Sequence, residues 1–291
     1  VERRRPTLES YLLSARASLR RAGVPSPDVD AETIIGHVLG VRRSEIYLDP
    51  RRGLTPGEQG AILDLLERRA ARIPLQLLLG ECEFMSLPFM VREGVFIPRP
   101  ETECLVETVV DNVRARGEPV GAILDIGTGS GVIGVTLALY LDLTAVVATD
   151  ISRDALETAR ANAILHGVDD LVDAILCDGL SGVRGGTETA FHVVVSNPPY
   201  VASGEIGGLE PEVRDHDPLA ALDGGPDGLR FIAGLVPGLP SILKKGGLAA
   251  LEIGAGQGRE VAALLAEAGL TEIEVVKDLA GVDRVVTGRR P

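Results

Sequence analysis

Ile123-Leu124-Asp125-Ile126-Gly127-Thr128-Gly129-Ser130-Gly131 passes from an apolar run to alternating glycines and is followed by Val132-Ile133-Gly134-Val135, apolar again. An aliphatic run of this kind suits a strand covered on both faces, and the run after it suits a buried helix. Glycines between them let the backbone turn tightly and approach a ligand. Strand, glycine turn and helix form a nucleotide-type site, because the free amides opening a helix favour a carboxylate or phosphate.

Outward from this stretch, strands and helices alternate. The pattern predicts strands at 121–126, 145–149, 171–176, 191–195, 247–253, 271–277 and 282–288. Helices fall at about 101–116, 130–140, 153–166, 228–243 and 257–268, each between strands as parallel crossovers require. Only a short loop joins the last two strands, so the sheet should end in an antiparallel pair and be mixed and seven-stranded. There is no internal repeat and no low-complexity tract.

Two cofactors compete for the glycine turn. Gly129-x-Gly131-x-x-Gly134, with Asp150 about twenty residues on, satisfies the dinucleotide fingerprint and keeps an NAD-dependent oxidoreductase in play. Asp125 and Asp178 add carboxylates at two further strand ends. S-adenosylmethionine uses all of them. The loop Gly127-Thr128-Gly129-Ser130-Gly131 would meet its methionine part, with Asp125 favouring the ammonium or sulfonium charge. Asp150 would bridge the ribose hydroxyls, and Asp178 with Gly179 would meet the adenine.

Val193-Val194-Val195-Ser196-Asn197-Pro198-Pro199-Tyr200-Val201 is a buried-strand run stopped by an amide, two prolines and an aromatic ring. The prolines cannot continue a ladder, so Asn197 sits at a strand's carboxyl end, where open α/β sheets bind ligands. Asn197 and the Pro198 carbonyl could accept the two hydrogens of a primary amide, with Tyr200 stacked over the plane. Such contacts orient the nitrogen toward a methyl donor and favour its developing charge. No general base is needed, since the proton leaves easily after alkylation. His37, His166, His192 and His216 offer no evident base. Adenine's exocyclic amine carries the same two hydrogens, so the corner alone leaves amide and base both open.

Cys82, Cys104 and Cys177 are far apart and form no Cys-x-x-Cys pair, which suggests neither disulfides nor zinc. Asp215-His216-Asp217, on an irregular glycine-flanked loop, is weak as a metal cluster and reads as solvated. With no signal-peptide core and no apolar run of spanning length, a cytoplasmic protein is expected.

The net charge of −13 is uneven. Residues 1–75 hold 13 Arg, among them Arg3, Arg4 and Arg5, against 10 acids, and the rest holds 16 basic against 32 acidic residues, so the parts carry +3 and −16. An acidic main domain repels phosphate backbones and weighs against a nucleic-acid substrate. The basic front could dock an acidic partner. It reads as a small helical domain: Thr7 opens an apolar stripe of Leu8, Leu12, Ala15 and Leu19 that Gly23 ends. Ser26-Pro27 starts a helix to Leu39, and Thr55, Pro56 and Glu58 form a capping-box start for one to Arg72. Leu75–Leu79, Glu81–Phe84 and Leu87–Val91 suggest short extended segments, a hairpin linker. The expected domains are 1–75 (helical, substrate-docking), 76–100 (linker) and 101–291 (cofactor-binding).

The chain resembles the HemK (PrmC) family of protein-glutamine N5-methyltransferases, which modify the Gly-Gly-Gln glutamine of class I peptide-chain release factors. The likeness runs through Pro74 to Val91, Ile97-Pro98-Arg99-Pro100-Glu101-Thr102-Glu103, Asp125 to Gly131, Asp150 and Ser196 to Tyr200. It continues in Glu210-Pro211, Ala221-Leu222, Gly224 to Leu229, Leu251-Glu252-Ile253-Gly254 with Gln257, and Asp278 to Val286. It implies a Rossmann-like class I methyltransferase of α/β class, with Gly127, Gly129, Gly131, Asp150, Gly179 and Asn197 on the cofactor and Asn197 to Tyr200 on the glutamine. Leu77 stands where the family often has Tyr, and Gly179 where a Trp is common beside the adenine. Rival functions are methylation of a ribosomal-protein glutamine, adenine-N6 methylation of nucleic acid, NAD-linked oxidation, and binding of release factors without catalysis.

Overall fold

The computed structural model describes residues 7–117, 119–183 and 191–291, so Arg3, Arg4 and Arg5 lie outside the described residues. The chain forms two compact units, Val1–Glu81 with Glu210–His216, and Cys82–Leu209 with Asp217–Pro291.

The first unit holds α1 (Leu8–Arg21), α2 (Pro27–Leu39), α3 (Pro56–Ala70) and α4 (Leu75–Leu79). Its starts follow from capping chemistry: Thr7 accepts from the Ser10 amide, and Thr55 and Glu58 satisfy each other's amides at 3.2 and 2.7 Å. Leu12, Leu19, Ile34, Ile35, Ile62 and Leu66 meet in its core. Leu75–Leu79, expected to be extended, is one helical turn closed by Gly80 in the left-handed region (φ 76°). A short apolar run carries no periodicity to separate the two, and the glycine stop decides it.

From the end of the first unit onward, β1 (Glu81–Phe84) and β2 (Leu87–Met90) form a hairpin. After a 3-10 turn at Pro100–Thr102 come α5 (Glu103–Arg116), β3 (Val120–Ile126), α6 (Val132–Tyr140), β4 (Leu143–Asp150), α7 (Arg153–Leu165), β5 (Val172–Leu176) and β6 (Phe191–Ser196). β7 (Leu243–Glu252), β8 (Thr271–Lys277) and β9 (Asp283–Arg289) complete a sheet of order β5-β4-β3-β6-β7-β9-β8. β9 runs antiparallel to both β7 and β8, and the other pairs are parallel, which is the mixed seven-stranded arrangement expected.

Neighbouring residues of the central strands feed opposite faces. Ile123, Val193 and Val195 belong to one core cluster, and Leu124, Ile126 and Val194 to the other. Both faces are covered, which is why these strands are apolar without alternation. The helix expected over 228–243 is instead broken into Arg230–Leu235, a 3-10 turn Val236–Gly238, and Leu239–Ile242. Pro237 and Pro240 remove amide donors and tighten the turns. Among the described residues no helix is long and apolar enough to cross a membrane.

Candidate active site

The carboxyl ends of four adjacent strands, β5, β4, β3 and β6, bring the sequence-predicted residues to one edge of the sheet. After β3, Gly127, Gly129 and Gly131 all take positive φ (70°, 56° and 84°). The Gly127 and Thr128 amides both donate to the Thr149 carbonyl at 2.8 and 2.9 Å, and the Gly129 amide donates to Asp150 Oδ2 at 2.9 Å. The loop is thereby folded against the end of β4. A Cβ on Gly131 would lie 2.8 Å from the Ala159 methyl of α7, so the third glycine is set by helix packing. At Gly127 and Gly129 a Cβ would meet nothing within 4 Å, leaving open space on that side.

Thr128 and Ser130 are buried, so their side chains face inward. The Thr128 hydroxyl donates to Asp125 Oδ2 at 2.7 Å, and the Gly134 amide reaches the same oxygen at 3.1 Å. Asp125 itself is fully buried beneath the loop, and Oδ1 has no hydrogen-bond partner among the described residues. Burial pushes its pKa up to about 6, against these two hydrogen bonds and with help from the nearby Asp150 charge. Its geometry therefore makes Asp125 first a brace of the glycine loop.

Asp178 and Gly179, beyond β5, line a cavity of about 770 Å³ shared with Leu180, Pro199, Arg230 and Phe231. Its walls are largely apolar, and Phe231 contributes an aromatic ring. The Cys177 amide donates to the Asp150 carbonyl at 3.0 Å, which keeps these strand ends together.

After β6, the Ser196 hydroxyl donates to the Ile126 carbonyl at 2.7 Å and locks the two strand ends. Asn197 follows, half-buried, with Nδ2 donating to Thr102 Oγ1 at 3.0 Å. The Tyr200 hydroxyl donates to Glu252 Oε1 at 3.2 Å, and the Gln257 side-chain amide donates to the Tyr200 carbonyl at 3.0 Å. Behind the corner, a Cβ on Gly228 would fall 2.2 Å from that carbonyl, so only glycine fits. The prolines stiffen the corner, and these bonds hold its two ends.

Asp215-His216-Asp217, expected to be a solvated loop, is solvated only in part. Asp215 pairs with Arg214, while Asp217 is buried and accepts from the Ile97 amide and Arg99. Among the described residues no group of three or more His, Cys, Asp or Glu is placed to hold a metal.

Comparison with known proteins decides between the cofactors left open above. Residues 10–80 match the PrmC N-terminal domain, and residues 88–208 match the Methyltransferase small domain. A release factor glutamine methyltransferase of Agrobacterium fabrum is 37% identical over 286 residues, 98% of this chain and 98% of its own. That of Deinococcus radiodurans is 40% identical over 284 residues, covering 97% and 98%. The chain belongs to the release factor glutamine methyltransferase family. Solved relatives of the fold are distant: a methyltransferase from Pyrococcus furiosus has TM-score 0.51 at 16% identity, covering 81% of this chain and 99% of its own. A T. thermophilus 16S rRNA methyltransferase in complex with AdoMet and guanosine gives 0.52 at 17%, covering 72% and 50%. Both support the Rossmann-like fold.

Within this family member, sequence reasoning singled out the corner and the loop and missed the residues that hold them. Thr102 and Glu252 lay inside quoted stretches without a role. Gln257 reaches Tyr200 across 57 positions. Asn162, fully buried on α7, received no role; it donates to the Ser130 carbonyl at 2.8 Å and the Met90 carbonyl at 3.0 Å, and accepts from the Met90 amide at 2.7 Å. The one signal for it was a polar amide among the alanines of an apolar stripe, Ala155, Ala159 and Ala163.

Proposed function

We propose that the protein transfers a methyl group from S-adenosylmethionine to the side-chain amide nitrogen of the Gly-Gly-Gln glutamine in class I peptide-chain release factors. The observation that carries this reading is the Asn197–Thr102 bond. With Nδ2 occupied at 3.0 Å, Asn197 presents its oxygen as an acceptor at the strand end.

The residues present fit the cofactor. The open side of Gly127 and Gly129, with buried Thr128 and Ser130 giving backbone only, suits close approach by its methionine part. Gly131 completes the turn. The orphaned oxygen of Asp125 adds negative potential beneath the loop, which favours the ammonium and sulfonium charges. Asp150 would take the ribose hydroxyls, since a carboxylate accepting one bond on each oxygen retains lone pairs. Asp178 and Gly179 would meet the adenine, with Phe231 supplying the ring that position 179 lacks. When bound, S-adenosylmethionine supplies an electrophilic methyl group.

The protein's share of the chemistry is orientation. An amide nitrogen is a weak nucleophile because its lone pair is delocalised. Asn197 and the Pro198 carbonyl would accept its two hydrogens, and Pro199 and Tyr200 would confine the plane of the group. Fixing those hydrogens stabilises the positive charge that grows on nitrogen as the bond to carbon forms. The proton is then lost to water.

The helical unit would dock the release factor, and this reading implies a cytoplasmic protein with neither membrane nor nucleic acid as its direct target. An adenine amine would suit the same two acceptors, but the −16 charge beyond residue 75 disfavours a polyanion. The test is methyl transfer from labelled cofactor to purified release factor, ribosomal protein and DNA. Label should appear on the release factor alone and fall about 100-fold with Asn197→Ala, the scale of losing one preorganised transition-state contact. Wild-type rates in that variant, or label on DNA, would refute the reading.

A further inference from the structure

Gln257 stands just before the helix Gly258–Glu267, at the position that would cap it, yet its side chain makes no capping bond there. Capping is the ordinary use of a polar residue at such a place, and Ser, Thr, Asp and Asn serve it better than Gln. The side chain turns back instead. Its Oε1 accepts from the Gly254 amide at 2.8 Å, just beyond the end of β7, and its Nε2 donates to the Tyr200 carbonyl at 3.0 Å. A longer contact from Nε2 reaches the Asp227 carbonyl at 3.5 Å. A backbone amide can only donate and a backbone carbonyl can only accept, so this side-chain amide has one orientation. Two buried glycines make room for it. A Cβ on Gly228 would lie 2.5 Å from Nε2, and one on Gly254 would lie 3.0 Å from Oε1 and 3.2 Å from Tyr200 Cδ2. Gly254 has no positive φ to call for glycine, so the close approach of Gln257 and Tyr200 is what favours it there.

We infer that Gln257 is a positioning residue for the acceptor corner: by holding the Tyr200 carbonyl it keeps the Pro199–Tyr200 segment and its ring where they confine the substrate amide beside Asn197 and the Pro198 carbonyl. The consequence rests on the glutamine-methylation reading, while the hold on Tyr200 stands on the geometry alone. Pro198 and Pro199 have no amide hydrogens with which to tie themselves down, so the corner depends on its ends. At one end Asn197 is tied to Thr102, and at the other the Tyr200 hydroxyl is tied to Glu252 and its carbonyl to Gln257. Beyond it the Val201 amide donates to the Leu222 carbonyl at 3.0 Å, and the Gly224 amide donates to the Val201 carbonyl at 2.9 Å. The Gln257 bond joins a side chain outside the corner to the corner's own backbone. It can therefore be removed without altering a residue that meets the substrate. The glycine loop is held from β4, by Thr149 and Asp150, so its grip on the cofactor does not pass through Gln257. Loss of the Gln257 bond should thus misplace the methyl acceptor and leave the donor where it is.

The experiment compares wild type with Gln257→Glu and Gln257→Met. Glutamate keeps the length and still accepts from Gly254 but, when ionised, cannot donate to Tyr200, and methionine keeps the bulk and does neither. In both variants kcat/KM for the release factor should fall about tenfold, the scale of a small misplacement of a reacting group. The Kd for S-adenosylmethionine, measured by calorimetry, should stay at its wild-type value, a split that a general loosening of the fold would not give. Independently of activity, the Gln257 side-chain nitrogen of wild type should show a scalar coupling across its hydrogen bond to a 13C-labelled Tyr200 carbonyl. Wild-type kcat/KM in both variants, or a fall matched by equally weakened cofactor binding, overturns the inference. If wild type methylates no glutamine, the function reading fails by itself. The coupling then decides the rest: its presence sustains the hold of Gln257 on Tyr200, and its absence overturns it.

Discussion

Buried carboxylates behave oppositely in the two units. In the helical unit they are matched with arginines. Arg69, itself buried, donates to Asp30 at 2.7 Å and to Glu212 at 2.8 Å, and Arg72 donates to Glu212 at 2.7 Å. Although burial opposes it, these bonds hold the Glu212 carboxyl down at about 2, and bonds from Tyr47, Arg43 and Arg16 lower Glu32 in the same way. In the sheet unit, Asp125 and Glu252 each bury an oxygen with no partner among the described residues and are pushed up to about 6 and about 7. A buried charge that has lost its partner is costly, so the pairs of the helical unit guard its fold; half-satisfied carboxylates mark the proposed site instead.

The contrast can be broken at its strongest point first. Arg69→Met keeps the bulk of the side chain but strands Asp30 and takes one of the two arginine donors from Glu212, leaving it Arg72. Breaking a buried pair from one side should lower unfolding free energy by about 3–5 kcal/mol, read from urea denaturation. A loss under about 1 kcal/mol would show that the pairing is incidental.

A smaller effect is expected on the other side. An Asp whose folded pKa is raised weakens the fold as pH climbs from 3.8 through about 6, because the buried form resists ionisation. Asp125→Asn keeps an oxygen for Thr128 and Gly134 and removes that slope. Stability at pH 8 should hold or rise, while the Kd for S-adenosylmethionine, measured by calorimetry, should weaken about tenfold, or ~1.4 kcal/mol. Lost stability with unchanged binding would move Asp125 into the class of Glu212.

The smallest effect sharpens the helical side. Thr55→Ala removes the reciprocal cap with Glu58 and should cost about 1 kcal/mol, with methyl transfer at 25 °C unaltered. A change in turnover from this helix start would mean that the unit's stability and the chemistry are coupled.

The fold was legible where local chemistry decides it. Val193–Val195, the glycine turn and the Thr55–Glu58 box each carry their structural reason within a few residues. Leu75–Leu79 was not, because five apolar residues suit a strand or a turn of helix equally. Nor was the breaking of 228–243, where Pro237 and Pro240 outweighed the apolar content. In the site, the residues that carry an exposed or strand-end position were found, and those that brace them were missed. Asn197 and Thr102 lie 95 positions apart, and Tyr200 and Glu252 lie 52 apart. Distance along the chain hides such pairs: the sheet order β6-β7 brings Tyr200 to Glu252, and Thr102 reaches Asn197 from the turn before α5.

Asn162 shows how such a brace shapes what evolution can alter. All three of its bonds reach backbone atoms, of Ser130 and of Met90, and none touches a side chain. The hairpin and the glycine loop can therefore exchange residues at positions 90 and 130 without losing the attachment. Position 162 has no such freedom: aspartate lacks the donors for two carbonyls, and glutamine is one carbon too long. One amide at position 162 would thus allow diversity at the two places it joins.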